Sequence, residues 1–230
     1  KATGGGRCNL TNTLDNETFM QRFGRDGRFM MPALEEFDHH ALIDFFKEIG
    51  VASHAPDGFR VFPVTHSSTT IITALKNEMT RVGVEVRTAQ KVETIEHDGM
   101  KVIGVHTQNS FYDTKNVIIA TGGMGYPMLG AEGDGYNMAE SVGHKVTELY
   151  PAMMPLQTKE TWVGNCRADT IAKVEMHVDM KKYKKLKAKG DLIFTKNGIR
   201  GPVVLDFSRE ITPLLKKFDE VPLLMNLTKG

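Results

Sequence analysis

Val117-Ile118-Ile119-Ala120-Thr121-Gly122-Gly123-Met124-Gly125-Tyr126-Pro127 is the stretch on which the fold class turns. Four consecutive apolar residues, Val117 to Ala120, do not alternate, and they predict a strand covered on both faces, as in an open α/β sheet. The run passes straight into glycines. In such sheets ligands sit beyond the carboxyl ends of the strands, where residues without a Cβ leave room. A turn in any α/β protein has the same composition, so this stretch alone leaves both readings open. The next motif, Gly133-Asp134-Gly135-Tyr136, leads into a helix predicted from Gly135 to Ser141 and closed by Gly143. The amides at that helix start suit a phosphate, and they equally suit Asp134 as a simple N-cap.

Upstream of this run the periodicity changes. Asp15 to Arg28 is polar and reads as loop or short helix. Asp38 can cap a helix from His39 to Ile49, in which Leu42, Phe45, Phe46 and Ile49 recur at helical spacing before Gly50. Phe59 to Val64 follows a turn at Asp57-Gly58. Ser67 or Ser68 opens a second helix that runs through Val82 to Gly83, with Ile71, Ile72, Leu75, Met79 and Val82 as its apolar stripe. A short strand is predicted at Val84 to Arg87. Lys91 to His97 and Lys101 to Thr107 flank Asp98-Gly99, a hairpin signal, and Asn109-Ser110 marks a further turn before Phe111 to Asp113.

Downstream, Pro151 and Pro155 bracket a Met-rich connector that reads as a domain boundary, giving domains 1–155 and 156–230. Beyond it Val174, Met176, Val178 and Met180 alternate with Lys173, Glu175, His177 and Asp179, the pattern of a half-buried antiparallel strand. Asp191 to Thr195 and Pro202 to Phe207 read as further strands, with a turn at Asn197-Gly198.

The richest chemistry lies at Thr3-Gly4-Gly5-Gly6-Arg7-Cys8-Asn9-Leu10-Thr11-Asn12. Consecutive glycines let the backbone approach a flat or anionic ligand, and successive amides can form an anion-binding nest. Arg7 adds a fixed charge, and Asn9, Thr11 and Asn12 add neutral polar groups. A cofactor carrying phosphates and a polar heterocycle suits this set; a flexible loop with ordinary Asn/Thr turns fits it equally. Cys8 beside Arg7 reads either as a redox thiol or as a packed one, the second being preferred.

Other classes are disfavoured. With 29 Lys and Arg against 28 Asp and Glu, the chain as a whole is not a nucleic-acid or membrane-surface binder by charge. No apolar run is long enough to span a bilayer. Two cysteines without repeated spacing give no disulfide framework, which fits a reducing compartment, and no His/Cys motif predicts a metal site. There is no Gly-x-Gly-x-x-Gly and no P-loop. The basic run Lys181 to Lys189 suits RNA phosphates, with Tyr183 available for stacking, and suits a solvated connection between strands better. The first and last residues, Lys1 and Gly230, look like cut ends and predict a fragment.

In order along the chain, Thr3 to Asn12, Arg60-Val61-Phe62-Pro63, Ala120 to Pro127 with Gly133 to His144, and Phe194-Thr195 through Gly198-Ile199-Arg200-Gly201-Pro202 resemble the HI0933-like (YhiN-like) flavoprotein family of NAD(P)/FAD-dependent or aminoacetone-oxidase-family enzymes. A looser likeness is to fumarate-reductase-type flavoproteins. The family resemblance implies an α/β fold: an incomplete glutathione-reductase-type FAD-binding domain with a β-meander, lacking its N-terminal βαβ unit, followed by the start of an inserted mainly-β domain. It implies a cytoplasmic bacterial FAD-dependent oxidoreductase with NAD(P)H as electron donor and a small molecule or RNA as substrate. By position, Gly4, Gly5, Gly6, Arg7, Cys8, Asn9, Thr11 and Asn12 would lie beside the flavin and pyrophosphate, and Val92 would meet the adenine through its backbone. Ala120, Thr121, Gly122 and Gly123 would close over the cofactor, and Tyr126, Asp134 and Gly135 would sit near the flavin pocket. Gly125, Glu132, Lys196 and Arg200 depart from the family pattern, which puts substrate contacts in question more than the fold. Two alternatives stay open: an RNA-binding or RNA-modifying protein on a flavin fold, and an inactive remnant that covers its exposed sheet edge by forming a homodimer.

Overall fold

The computed structural model describes residues 4–228; Lys1 to Thr3 and Lys229-Gly230, on which the start of the glycine-rich motif and the chain ends fall, lie outside the described residues. The chain divides into two compact units, Lys1–Val117 and Ile118–Gly230. The boundary expected at residue 155 falls inside the second unit.

In the first unit, strand β1 (Thr11–Asn12) is followed by helices α1 (Asn16–Gln21), α2 (Met31–Glu36) and α3 (His39–Glu48). Strands β2 (Ser53–His54) and β3 (Arg60–Pro63), helix α4 (Ser68–Arg81) and strands β4 (Val92–His97), β5 (Val102–Thr107) and β6 (Phe111–Asp113) complete it. β3 is the centre of a three-stranded antiparallel sheet between β1 and β2, while β4, β5 and β6 form a separate meander. The expected caps are in place: Asp38 accepts the Ala41 amide at 2.9 Å to start α3, and Ser67 accepts the Thr69 amide at 3.3 Å to start α4. The apolar faces of α3 and α4 meet in a small core of Phe46, Val51 and Ile71, against which Cys8, Leu10, Leu42 and Leu75 pack.

In the second unit, helix α5 (Asp134–Ser141) precedes strands β7 (Leu156–Gln157), β8 (Thr170–Val178), β9 (Lys187–Thr195) and β10 (Gly198–Arg200), helix α6 (Pro202–Phe218) and strand β11 (Leu223–Asn226). The sheet runs β11-β8-β9-β10-β7, antiparallel throughout, and α6 packs across it. The predicted alternation puts Val174, Met176 and Val178 inside, where they meet Leu192, Phe194, Ile199, Val204, Phe207 and Ile211. The polar residues on the buried face of α6 are satisfied. Ser208 Oγ donates to Leu205 O at 2.9 Å and accepts the Met154 amide at 3.1 Å, and Thr212 Oγ1 donates to Pro151 O at 2.7 Å. These bonds fasten the Pro151–Met154 connector to the helix.

Three expectations fail. Pro202 to Phe207 is not a strand but the first turns of the 17-residue α6. The paired valines have β character, yet Val203, Phe207, Ile211 and Leu214 recur at helical spacing, and Pro202 occupies the first turn, where its missing N–H costs nothing. The unit thus sets one long helix against its five-stranded sheet. Val117 to Ala120 is not a covered strand: Ile118 is 91% exposed. Val84 to Arg87 forms no strand either. Every strand pairing among the described residues is antiparallel, and neither segment has a neighbour to complete a ladder. A parallel strand takes its partner from a distant point in the sequence, so apolar composition alone does not create the pairing.

Candidate functional site

The glycine-rich motif is shaped by left-handed backbone. Gly4 to Gly6 form a 3-10 turn in which Gly5 has φ 65° and ψ 35°; Gly6 follows at φ 88° and Cys8 at φ 62°. Nothing in the protein lies within 4 Å of where a Cβ on Gly5 or Gly6 would stand, so conformation rather than crowding calls for glycine there. The chain then straightens onto β3. The Leu10 amide donates to Val61 O at 2.8 Å, Thr11 and Asn12 pair with Val61 and Arg60, and the Thr13 amide donates to Phe59 O at 3.0 Å. The Asn9 side-chain amide donates to Thr11 O at 2.9 Å and Val61 O at 3.3 Å, and Asn12 Oδ1 accepts the Leu14 amide at 3.0 Å. Cys8 and Leu10 point to the small core, while Gly5, Arg7 and Asn9 are exposed. Half of the motif therefore anchors and the other half presents. Cys8 is a packed thiol in this arrangement.

Two cations fix the electrostatics. The Arg7 guanidinium lies 5.0 Å from the centroid of the buried Phe62 ring, and that of Arg60 lies 5.9 Å from it. Arg60 is also held by Asp57, through Nε at 2.6 Å and the Arg60 amide at 2.7 Å, and Asp57 accepts the Phe59 amide at 3.0 Å. These bonds, the Arg60 amide first, hold the Asp57 carboxyl at about 2. A left-handed run of amides next to a positioned guanidinium fits the pyrophosphate of a dinucleotide cofactor.

The second group of predicted residues gathers around the start of α5. A Cβ at Gly135 would stand 2.4 Å from Thr121 Oγ1 and 2.8 Å from Ile119 Cγ2, and one at Gly133 would stand 2.9 Å from Met124 Cγ. Bare backbone at these glycines is what lets the 119–124 segment lie on the helix start. Tyr126 bridges to Ala131 and is exposed, as are Ala120, Thr121 and Gly122, while Gly123 is half-buried near the Tyr136 hydroxyl. Gly133, in the left-handed region at φ 93°, takes the N-cap position; Asp134 is the first helical residue, not the cap expected from its type. Gly4 to Asn12 belong to the first unit and Ala120 to Gly135 to the second. Val92 opens β4 opposite Thr107, apart from both groups in sequence and sheet.

The sequence reading missed one concavity. A cavity of about 440 Å³ is lined by Thr13, Asp15, Asn16, Asp38, His39, His40 and Ile43. Both carboxylates there cap helices, Asp15 accepting the Thr18 amide at 2.8 Å and Asp38 that of Ala41 at 2.9 Å, and those bonds lower their pKa values. They are structural anions. The basic run is resolved too: Lys181 to Lys185 form the connection between β8 and β9, and Tyr183 is not free to stack on a base but packs edge-on against Phe218, centroids 5.9 Å apart. No helix among the described residues is long and apolar enough to cross a membrane.

The chain is 28% identical to the 3-dehydro-bile acid delta(4,6)-reductase of Clostridium scindens over 212 residues, covering 91% of this chain and 50% of the reductase. It is 27% identical to the ribosomal RNA dihydrouridine synthase of Haemophilus influenzae, covering 92% and 52% of the two chains, and 26% identical to that of Escherichia coli, covering 90% and 50%. The chain spans about half the length of these curated relatives. The HI0933-like protein Rossmann domain matches residues 1–211, and the chain thus belongs to the HI0933-like family of Rossmann-type flavoproteins.

Proposed function

We propose that the chain is part of a longer FAD-dependent oxidoreductase that draws electrons from NAD(P)H. The observation that carries this reading is the left-handed run through Gly5, Gly6 and Cys8 beside Arg7, which Phe62 holds in place. Gly4, Gly5, Gly6 and Arg7 would receive the pyrophosphate, with Cys8, Asn9, Thr11 and Asn12 pinning that loop to β3. Val92 would offer its backbone to the adenine. Ala120, Thr121, Gly122, Gly123, Tyr126, Asp134 and Gly135 would line the flavin side. When bound, FAD supplies hydride transfer. The protein's part is to neutralise the phosphates, orient the ring and keep water away. The relatives that span twice this length support partners for Val84–Arg87 and Val117–Ala120 in sequence beyond this chain. Anaerobic mixing of the intact protein with NADH and with NADPH tests the donor: one of the two should bleach the visible flavin band within seconds, and a band that neither changes removes NAD(P)H from the proposal.

A second reading, RNA as substrate, draws on the dihydrouridine synthase relatives and on the exposed Lys181, Lys182, Lys184 and Lys185 at the β8–β9 connection. Binding of a ribosomal RNA fragment should weaken steeply with salt and with alanines at these four lysines. Binding unchanged by them removes the basis for this substrate class.

A further inference from the structure

Sequence spacing hides a pair of histidines that the fold assembles. His54 ends β2 opposite Phe62 of β3, and His66 stands in the turn from β3 to α4, its amide donating to Pro63 O at 2.9 Å and its backbone left-handed at φ 50°. Their Nε2 atoms are 3.1 Å apart, the rings are inclined by 74°, and the centroids are 4.7 Å apart. His54 is half-buried and His66 exposed, so both tips are open to solvent ions.

The centroid distance shows how the two ring axes meet. In a linear N–H···N bond the two ring axes lie end to end, which at this nitrogen separation would place the centroids about 5.4 Å apart. If both lone pairs instead converge on one cation at about 2.0–2.1 Å, the same separation subtends about 100° at the cation and places the centroids about 4.8 Å apart. The observed 4.7 Å shows that the ring axes converge, which a shared cation requires and a bent N–H···N bond also gives. We propose that His54 and His66 chelate a single late first-row divalent cation of the Zn2+ and Ni2+ class, for which imidazole nitrogen is a preferred ligand. Among the described residues no third His, Cys, Asp or Glu joins them, so water or an exogenous ligand fills the remaining positions. The site is an open one that ties β2 to the β3–α4 turn, and it stands independently of the flavin reading.

Titration of the 230-residue chain with Ni2+ by calorimetry tests the site. The controls are His54→Gln, His66→Asn, which tolerates the left-handed backbone, and the double variant His39→Gln/His40→Gln, which alters another close pair of rings. The expected result is one saturable site whose affinity drops by roughly tenfold or more in each of the first two variants, as one of two protein ligands is lost, and stays unchanged in the third. Circular dichroism of all variants checks that they fold alike. Absence of saturable binding, or binding that survives both His54→Gln and His66→Asn, would overturn the proposal and leave the pair as an N–H···N hydrogen bond.

Discussion

Apolar stretches of this chain end in opposite places. Val174, Met176 and Val178 in β8 are sealed in the second core at 0–1% exposure, whereas Ile118 to Ala120 and Val84 to Val86 are exposed. The difference lies in where the partner comes from. β8 pairs with β9 through a short connection, and β11 and α6 complete its second ladder and cover its inward face. The other two segments have no neighbour among the described residues, and an apolar strand without a ladder has neither hydrogen bonds nor a covered face. The same contrast divides function. The sealed region carries stability, and the glycine–arginine loop proposed to receive the cofactor is exposed at Gly5 and Arg7.

The largest expected effect tests the sealed side. Phe207→Ala should cost about 3–5 kcal/mol in urea unfolding, because a fully buried ring leaves a cavity among Val204, Ile211 and the sheet. Ile118→Ser, in the exposed run, should change stability by less than about 0.5 kcal/mol. Equal losses in the two variants would break the comparison. Next comes Gly198→Ala. Its Cβ would stand 2.1 Å from Leu156 O, and the β10–β7 pairing must part, at a cost of about 1–3 kcal/mol. Gly5→Ala meets no atom, and its cost of about 1–2 kcal/mol comes from the left-handed backbone alone. Thermal melts of both variants with solved backbones would show whether crowding and conformation are distinct causes here.

A smaller effect concerns pH. The folded pKa of Asp57 is depressed to about 2 from an ordinary value of 3.8, chiefly by the Arg60 amide and then by its side chain. Its contribution is therefore fully present above the ordinary carboxylate range and is lost as pH falls through about 2. An NMR titration should find the Asp57–Arg60 turn intact at pH 4 and loosening only toward its low midpoint. Release near pH 4 would mean that the amide bonds do not hold in solution.

Legibility followed the same divide. Caps, hairpin turns and the β8 alternation were readable because each depends on residues within a few positions: Asp38 on Ala41, Asp98-Gly99 on its flanking strands, Val174 on Met176. α6 was misread because a six-residue window starting at two valines looks like a strand, while its helical stripe appears only when the window reaches Leu214. The glycine motif was visible as chemistry, but its division into anchoring Cys8, Asn9 and Leu10 and exposed Gly5 and Arg7 depends on β3, some fifty residues away. The histidine pair left no trace in spacing, since positions 54 and 66 meet only through the β2–β3 register and a turn.

The most direct test of the central claim is an FAD titration of the intact, deflavinated protein, with Arg7→Ala measured beside it. The expected result is one FAD per chain, recovery of the visible flavin spectrum, and affinity weaker by roughly tenfold in the variant, in keeping with one lost charge-assisted contact to phosphate. FAD uptake by the intact protein that Arg7→Ala leaves unchanged, or no uptake at all, would contradict the assignment of the glycine–arginine loop as the cofactor cradle.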